Sequence, residues 1–167
     1  MKPLKLLAVI ITAITTSVCS AQTGYKGMIE AGRTFHLTYT PLHTTEVATT
    51  HGYQFNNYLY VGAGVGLNFN SSEKKSLYMP MYLDVKANLL RSKVTPFIDL
   101  KAGYSVLDVK GVYLSPSIGV DYNFYRKLSV YLKVGYTYQK AQCQMHVGNN
   151  ETKDYIGGIT AKAGFCF

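Results

Sequence analysis

Eight stretches of the chain keep every second residue apolar, and their charges fall almost wholly on the opposite parity. Side chains of a strand alternate between its two faces, so each stretch needs one apolar and one polar surrounding. The first, Tyr25 to Tyr39, sets Tyr25, Gly27, Ile29, Ala31, Phe35, Leu37 and Tyr39 on the apolar parity, with Arg33 as the exception. The second, about Thr45 to Phe55, alternates weakly and places His51 among the apolar positions. Asn56-Asn57 signals a turn, and Leu59 to Phe69 follows, with Val61, Ala63, Val65 and Leu67 opposed to Tyr60, Gly62, Gly64, Gly66 and Asn68. Met79 to Leu89 opposes Pro80, Tyr82, Asp84, Lys86 and Asn88. The stretch from Phe97 to Val106 opposes Asp99, Lys101, Gly103 and Ser105 to Ile98, Leu100, Ala102 and Tyr104. Val112 to Phe124, Leu128 to Tyr138 and Gly158 to Phe167 complete the set, with Asp121, Lys133 and Lys162 on their polar faces.

Each stretch runs to about ten residues or more, the length a tilted strand needs to cross a bilayer. An even number of strands returns the chain to its starting side, and closure removes every sheet edge. The pattern therefore predicts an all-β fold, an eight-stranded antiparallel up-and-down transmembrane β-barrel. A soluble barrel shows the same alternation with inside and outside exchanged. The charges decide between them. Arg33 alone lies on the apolar parity, while the other face carries Lys26, Lys86, Lys101, Lys133 and Lys162 against Glu30, Glu46, Asp84, Asp99 and Asp121. A balanced set among Gly, Ser, Thr and Tyr suits a closed lumen, where an unpaired charge is costly. Glu30, Asp84, Lys86, Asp99, Lys101, Asp121, Lys133 and Lys162 are therefore read as a lumen charge network, paired between neighbouring strands. Lumen glycines leave room for the rings of Tyr60, Tyr82, Tyr113 and Tyr131. Aromatics at the ends of the apolar faces (Tyr25, Phe69, Tyr122, Phe124, Tyr136, Tyr138, Phe165, Phe167) form the girdles expected at two bilayer interfaces.

The start of the chain reads differently. Met1-Lys2-Pro3-Leu4-Lys5 is basic, Leu6 to Ile14 is apolar, and Cys19-Ser20-Ala21 supplies a small-residue cut. This is the layout of a secretory signal peptide, expected over residues 1–21, with the barrel domain over 22–167. The apolar run is shorter than the ~20 residues of a spanning helix. A lipid-bearing Cys19 is disfavoured by Thr16 and Val18 at the positions that flank such a site. With the N-terminus in the periplasm, the polar segments 71–76 and 140–154 become extracellular loops, and the barrel resides in the outer membrane.

The formal charge is +8 over 167 residues. Scattered basic residues argue against nucleic acid. Cys143 and Cys166 form neither a metal-spaced motif nor a redox pair. A hydrolase of the Ser–His–carboxylate kind would need a serine beside His36, His43 or His51, and only Thr44 and Glu46 stand nearby. His146 has no partner at ligand spacing. No catalytic residue, cofactor or metal is expected.

The stretches Thr49-Thr50-His51-Gly52-Tyr53-Gln54, Tyr60 to Gly66, Pro96 to Tyr104 and Tyr113 to Gly119 resemble the small outer-membrane β-barrel proteins of Bacteroidota, a porin-like family. The architecture is similar to that of OmpX and the OmpA membrane domain. A cell-wall-binding domain is not expected with it, so the anchoring role of OmpA is not carried over. The resemblance implies a barrel and no particular reaction. Phe165 and Phe167 resemble the terminal signal read by the barrel-assembly machinery, with Thr160 in place and Lys162 where a glycine is usual. The resulting expectation is a monomeric structural or interaction protein, with outer-membrane lipid around it and an extracellular ligand on its loops. A narrow channel for very small solutes and a lipid A-modifying enzyme are the two alternatives. An eight-stranded lumen that side chains fill disfavours the channel.

Overall fold

The computed structural model describes residues 24–36, 43–70, 77–90, 92–107, 110–125, 128–142 and 153–167. The expected signal peptide and the segment 71–76 lie outside them, as do Cys143 and His146. The strands are β1 (Gly24–His36), β2 (His43–Gln54), β3 (Leu59–Asn70), β4 (Leu77–Asn88), β5 (Val94–Leu107), β6 (Gly111–Tyr125), β7 (Leu128–Gln142) and β8 (Lys153–Cys166). Each pairs antiparallel with the next, and β8 returns to β1, closing a barrel in sequence order.

Closure follows from the alternation. Each strand buries most of one parity, so the sheet must curl until those side chains meet. The outward parity stays bare: Leu132 is 68% exposed, Leu83 64% and Ile118 61%, with more than two dozen other large apolar side chains exposed beside them. In water such a surface would aggregate. In a bilayer it is the solvent-matched face, and the backbone polar groups beneath it are satisfied by the closed ladder. The inward parity carries Glu30, Glu46, Asp84, Lys86, Asp99, Lys101, Asp121, Lys133 and Lys162, all buried. The molecule is apolar outside and ionic inside, a transmembrane β-barrel.

Aromatic residues mark two levels on the outer wall. Tyr25, Tyr53, Phe55, Tyr122, Phe124 and Phe165 are exposed at one end, and Phe35, Phe69, Tyr104 and Tyr136 toward the other. From Tyr25 to Phe35 along a strand tilted about 40° is about 25 Å of height, which matches the apolar band of such barrels.

Local chemistry sets the connections. Between β2 and β3, Asn56 Oδ1 accepts from the backbone N–H groups of Tyr58 and Leu59, each at 2.8 Å. Between β4 and β5, the Leu89 N–H donates to Pro96 O at 2.8 Å and the Thr95 hydroxyl to Ser92 O at 2.8 Å. Prolines interrupt the ladders. The β3–β4 register skips from Val65↔Met81 to Asn68↔Tyr78 around Pro80. The β6–β7 register skips from Leu114↔Tyr138 to Ser117↔Gly135 around Pro116. A proline has no N–H to give to its neighbour strand. The β8 strand starts at Lys153, five residues ahead of the expected Gly158, and pairs with β7 as far as Gln142↔Lys153. That hairpin extends the ladder beyond the alternating part of both strands.

Candidate functional site

Among the described residues, charge gathers in the lumen, and its centre there is Glu30 on β1. Lys101 Nζ donates to Glu30 Oε1 at 2.5 Å, and Lys133 Nζ lies 2.8 Å from Oε2. Lys162 Nζ stands 3.7 Å from Oε1. The Tyr131 hydroxyl donates to Oε2 at 2.8 Å. Around this core, Lys133 also reaches Asp99 Oδ2 at 2.5 Å, Lys162 reaches Glu46 Oε1 at 2.6 Å, and Lys86 reaches Asp121 Oδ2 at 2.5 Å. The Ser117 hydroxyl donates to Asp99 Oδ2 at 3.2 Å.

The expected pairing between neighbouring strands needs correcting. Asp84 and Lys101 are ladder partners, as are Lys86 and Asp99, yet none of the tight pairs forms there. Lys86–Asp121 joins β4 to β6, Lys133–Asp99 joins β7 to β5, and Lys162–Glu46 joins β8 to β2. Lys101–Glu30 runs from β5 to β1, across the lumen. In a narrow barrel, inward side chains of alternate strands share a layer, because the tilt of the strands sets direct ladder partners at different heights along the barrel axis. Long lysine stems then bridge over the intervening strand. Gly32 shows how. It is the ladder partner of both Glu46 and Lys162, and a β-carbon there would stand 2.6 Å from Lys162 Cγ. Its missing side chain opens the path between those two charges.

The balance also differs from the sequence count. Lys26 is only half-buried, so the buried set holds four lysines against five carboxylates among the described residues. The surplus falls at Asp84. Both its oxygens are buried with no hydrogen-bond donor, and its carboxyl group faces that of Asp99, whose Oδ1 is also without a donor.

Aromatic rings close the network above and below. Tyr60, Phe97, Tyr131, Met28 and Cys166 pack together at one level, and Tyr82, Tyr113 and Ala48 at another. Lys86 Nζ lies 3.9 Å from the centre of the Phe97 ring, and Lys101 Nζ 4.5 Å from that of Tyr82, placing both ammonium groups over π-faces. A β-carbon at Gly164 would stand 2.3 Å from Tyr131 Cζ, so glycine makes room for the ring that holds Glu30. The Tyr131 hydroxyl on Glu30 and the Tyr82 hydroxyl, which accepts from Lys101 Nζ at 3.2 Å, are legible in the sequence only as ring-sized residues of lumen parity. Their partners depend on register, which the alternation leaves open.

The histidines divide between the two ends of the β1–β2 hairpin, His36 and His43 at one and His51 at the other. His36 shares a hydrogen bond with Thr44 Oγ1 at 2.8 Å, and His43 meets the Phe35 ring edge-on. His51, at the other end of the same hairpin, contacts the Tyr25 hydroxyl, Thr49 and the Phe167 ring. Glu46, the carboxylate nearest in sequence, is held by Lys162 in the lumen. Among the described residues no group of three His, Cys, Asp or Glu side chains is placed to hold a metal. Phe165 faces outward and stacks on Phe167, whose backbone exchanges two hydrogen bonds with Gly27 (2.8 and 2.9 Å). Lys162 occupies its position by pairing with Glu46, which a glycine there would leave unpaired. Arg33 projects outward near the end of β1.

No protein-family model matches the chain, and no curated protein matches it. Solved structures do. Neisserial surface protein A superposes with a TM-score of 0.60 at 16% identity, over 86% of this chain and 96% of that one. The de novo designed TMB2.3 gives 0.52 at 16% identity, over 89% and 97%. At such identity the likeness is one of fold, and it places the chain among eight-stranded closed β-barrels.

Proposed function

We propose that this chain is an integral outer-membrane protein with a structural and interaction role, exported by a signal peptide over residues 1–21 and folded as a monomeric barrel over 22–167. The observation that carries the reading is the inversion of polarity, with exposed apolar side chains on the outer face of all eight strands and, among the described residues, nine charged side chains buried inside. Such a wall is stable only against lipid. The lumen is occupied by ion pairs and rings, so the barrel acts through its outer surface and its loops. With the N-terminus on the periplasmic side, the connection at 71–76 and the one within 140–154, whose ends belong to β7 and β8, are the extracellular segments that would bear a ligand, and Phe165 and Phe167 are the residues the barrel-assembly machinery reads. Kinship with the small barrels of Bacteroidota belongs to the same reading, on the sequence stretches that resemble them.

The test is reconstitution. The chain should partition into detergent and liposomes, migrate faster on gels unheated than boiled, and show no unitary conductance in planar bilayers. Full solubility without detergent would sink the membrane reading, and steady single-channel currents would replace the structural role by a pore. Deletion of the gene, followed by envelope-stress phenotyping and lipid A mass spectrometry, separates interaction from enzymatic modification.

A further inference from the structure

The outer wall carries a groove between two rows of ladder partners. Arg33, Ala161, Val134, Ile118 and Ile98 lie on one line across β1, β8, β7, β6 and β5. A parallel line, two residues away along each strand, starts at Ala31 and ends at Pro96. The depression along them has a volume of about 1030 Å³ and continues to Leu89. At the β1–β8 seam its lining is short, with Ala31 facing Ala163 and Ala161 opposite Arg33, beside the larger Phe35 and Leu132. Its lining is almost entirely carbon. Lys133 and Lys162 border it through their backbone side, with their ammonium groups bonded to lumen carboxylates. Arg33 is therefore the cation presented outward along this groove. It has no hydrogen bond or ion pair among the described residues.

We propose that this groove docks one membrane lipid with an anionic phosphate headgroup, the phosphate on Arg33 and an acyl chain lying along the trough over Ala161 and Val134 toward Ile118. The proposal rests on the membrane reading above. A guanidinium on an apolar wall is a bidentate partner for phosphate, and the surrounding hydrocarbon strengthens the pair. The dimensions fit a lipid chain. Four inter-strand steps of about 4.8 Å make a trough of about 19 Å. It runs perpendicular to strands tilted about 35–45°, so it descends about 12 Å through the membrane, close to half of a ~30 Å hydrocarbon core. Arg33 itself lies about 5 Å inside the Phe35 level, so a lipid whose phosphate sits there reaches about the middle of the bilayer once its chain has passed Ala161 and Val134 to Ile118.

Native mass spectrometry tests this on the folded full chain, released from micelles holding equal amounts of phosphatidylglycerol and phosphatidylcholine. The wild type should retain phosphatidylglycerol about tenfold over phosphatidylcholine, whose phosphate is neutralised by its own ammonium group. Arg33→Gln should abolish that preference. Ala163→Phe should fill the trough and lower retention of phosphatidylglycerol, whereas Leu83→Phe, outward on β4 and away from the groove, should change nothing. A photoactivatable phosphatidylglycerol added to wild type gives a readout that needs no variant: cross-links should fall on the β1–β8 seam. Equal retention of both lipids, a preference that survives Arg33→Gln, or cross-links spread evenly around the wall would each overturn the proposal. Those outcomes leave membrane insertion intact, whereas a chain that stays in solution without detergent removes the membrane reading itself.

Discussion

Glu30 gathers three lysines and a tyrosine hydroxyl in a space closed to water, so its charge holds theirs in place. Removing one partner of a buried ion pair leaves the other uncompensated, at about 3–5 kcal/mol. Glu30→Gln should therefore lower stability by about that amount, read as a shift of the urea midpoint for folding into lipid vesicles. Asp84 offers the opposite test. Its oxygens have no donor and face another carboxylate, so Asp84→Asn removes the surplus charge and supplies an N–H to the free Oδ1 of Asp99. Stability should be unchanged or rise by about 1 kcal/mol; a loss as large as that of Glu30→Gln would mean that the negative charge at Asp84 is itself needed. Membership of the lumen was legible in the sequence, because parity alone turns a side chain inward. The partners were not. Asp84 and Asp99 read alike along the chain, and only the register, which sets Ser117 opposite Asp99, and the tilt, which brings Lys133 over from β7, separate the two.

At the scale of a strand, register decides what parity cannot. Two residues of slip along β1 would carry Gly32 away from the line joining Glu46 to Lys162 and put Glu30 or Thr34 in that gap. A bulky residue at 32 has the same effect without slip. Gly32→Val would drive a side chain against Lys162 and the Ala161 carbonyl, to which even a β-carbon would come within 2.3 Å. Overpacking costs about 1–3 kcal/mol and the severed ion pair adds to it. The variant should fold in lower yield, and hydrogen exchange should speed up along the β1–β8 seam before it does in β4–β5. Uniform acceleration around the barrel would contradict this account. Strand ends were the least legible part of the sequence. The extension of β7 and β8 to Gln142 and Lys153 carries no alternation, because beyond the lipid neither face needs to be apolar and backbone pairing alone sustains the ladder. The end of β5 is another such place. Leu107 sits at φ 79°, a left-handed conformation that costs a leucine about 1–2 kcal/mol. Leu107→Asn, which tolerates that region, should raise the urea midpoint.

For the whole molecule, stability is a matter of which solvent meets which face. The outer wall meets hydrocarbon over a band about 25 Å tall, and a charge on it is costly in proportion to its depth. Leu83 lies at the middle of β4 and is 64% exposed, so Leu83→Arg sets a guanidinium near the bilayer centre. Arg33 stands three residues from the end of β1, about two residues inside the level of Phe35, where its long side chain can reach the headgroups. Folding into vesicles should therefore become less favourable by about 2–4 kcal/mol for Leu83→Arg, and change by no more than about 1 kcal/mol for Arg33→Ala. In thinner bilayers the Leu83→Arg penalty should shrink, since its guanidinium then lies closer to water, while the Arg33→Ala effect should barely move. The ratio of the two effects measures depth directly. Equal penalties, or a Leu83→Arg penalty indifferent to bilayer thickness, would mean that the exposed apolar wall faces something other than lipid. A soluble barrel gives a different pattern again: a surface arginine in water costs almost nothing, so Leu83→Arg would then improve solubility at no loss of stability.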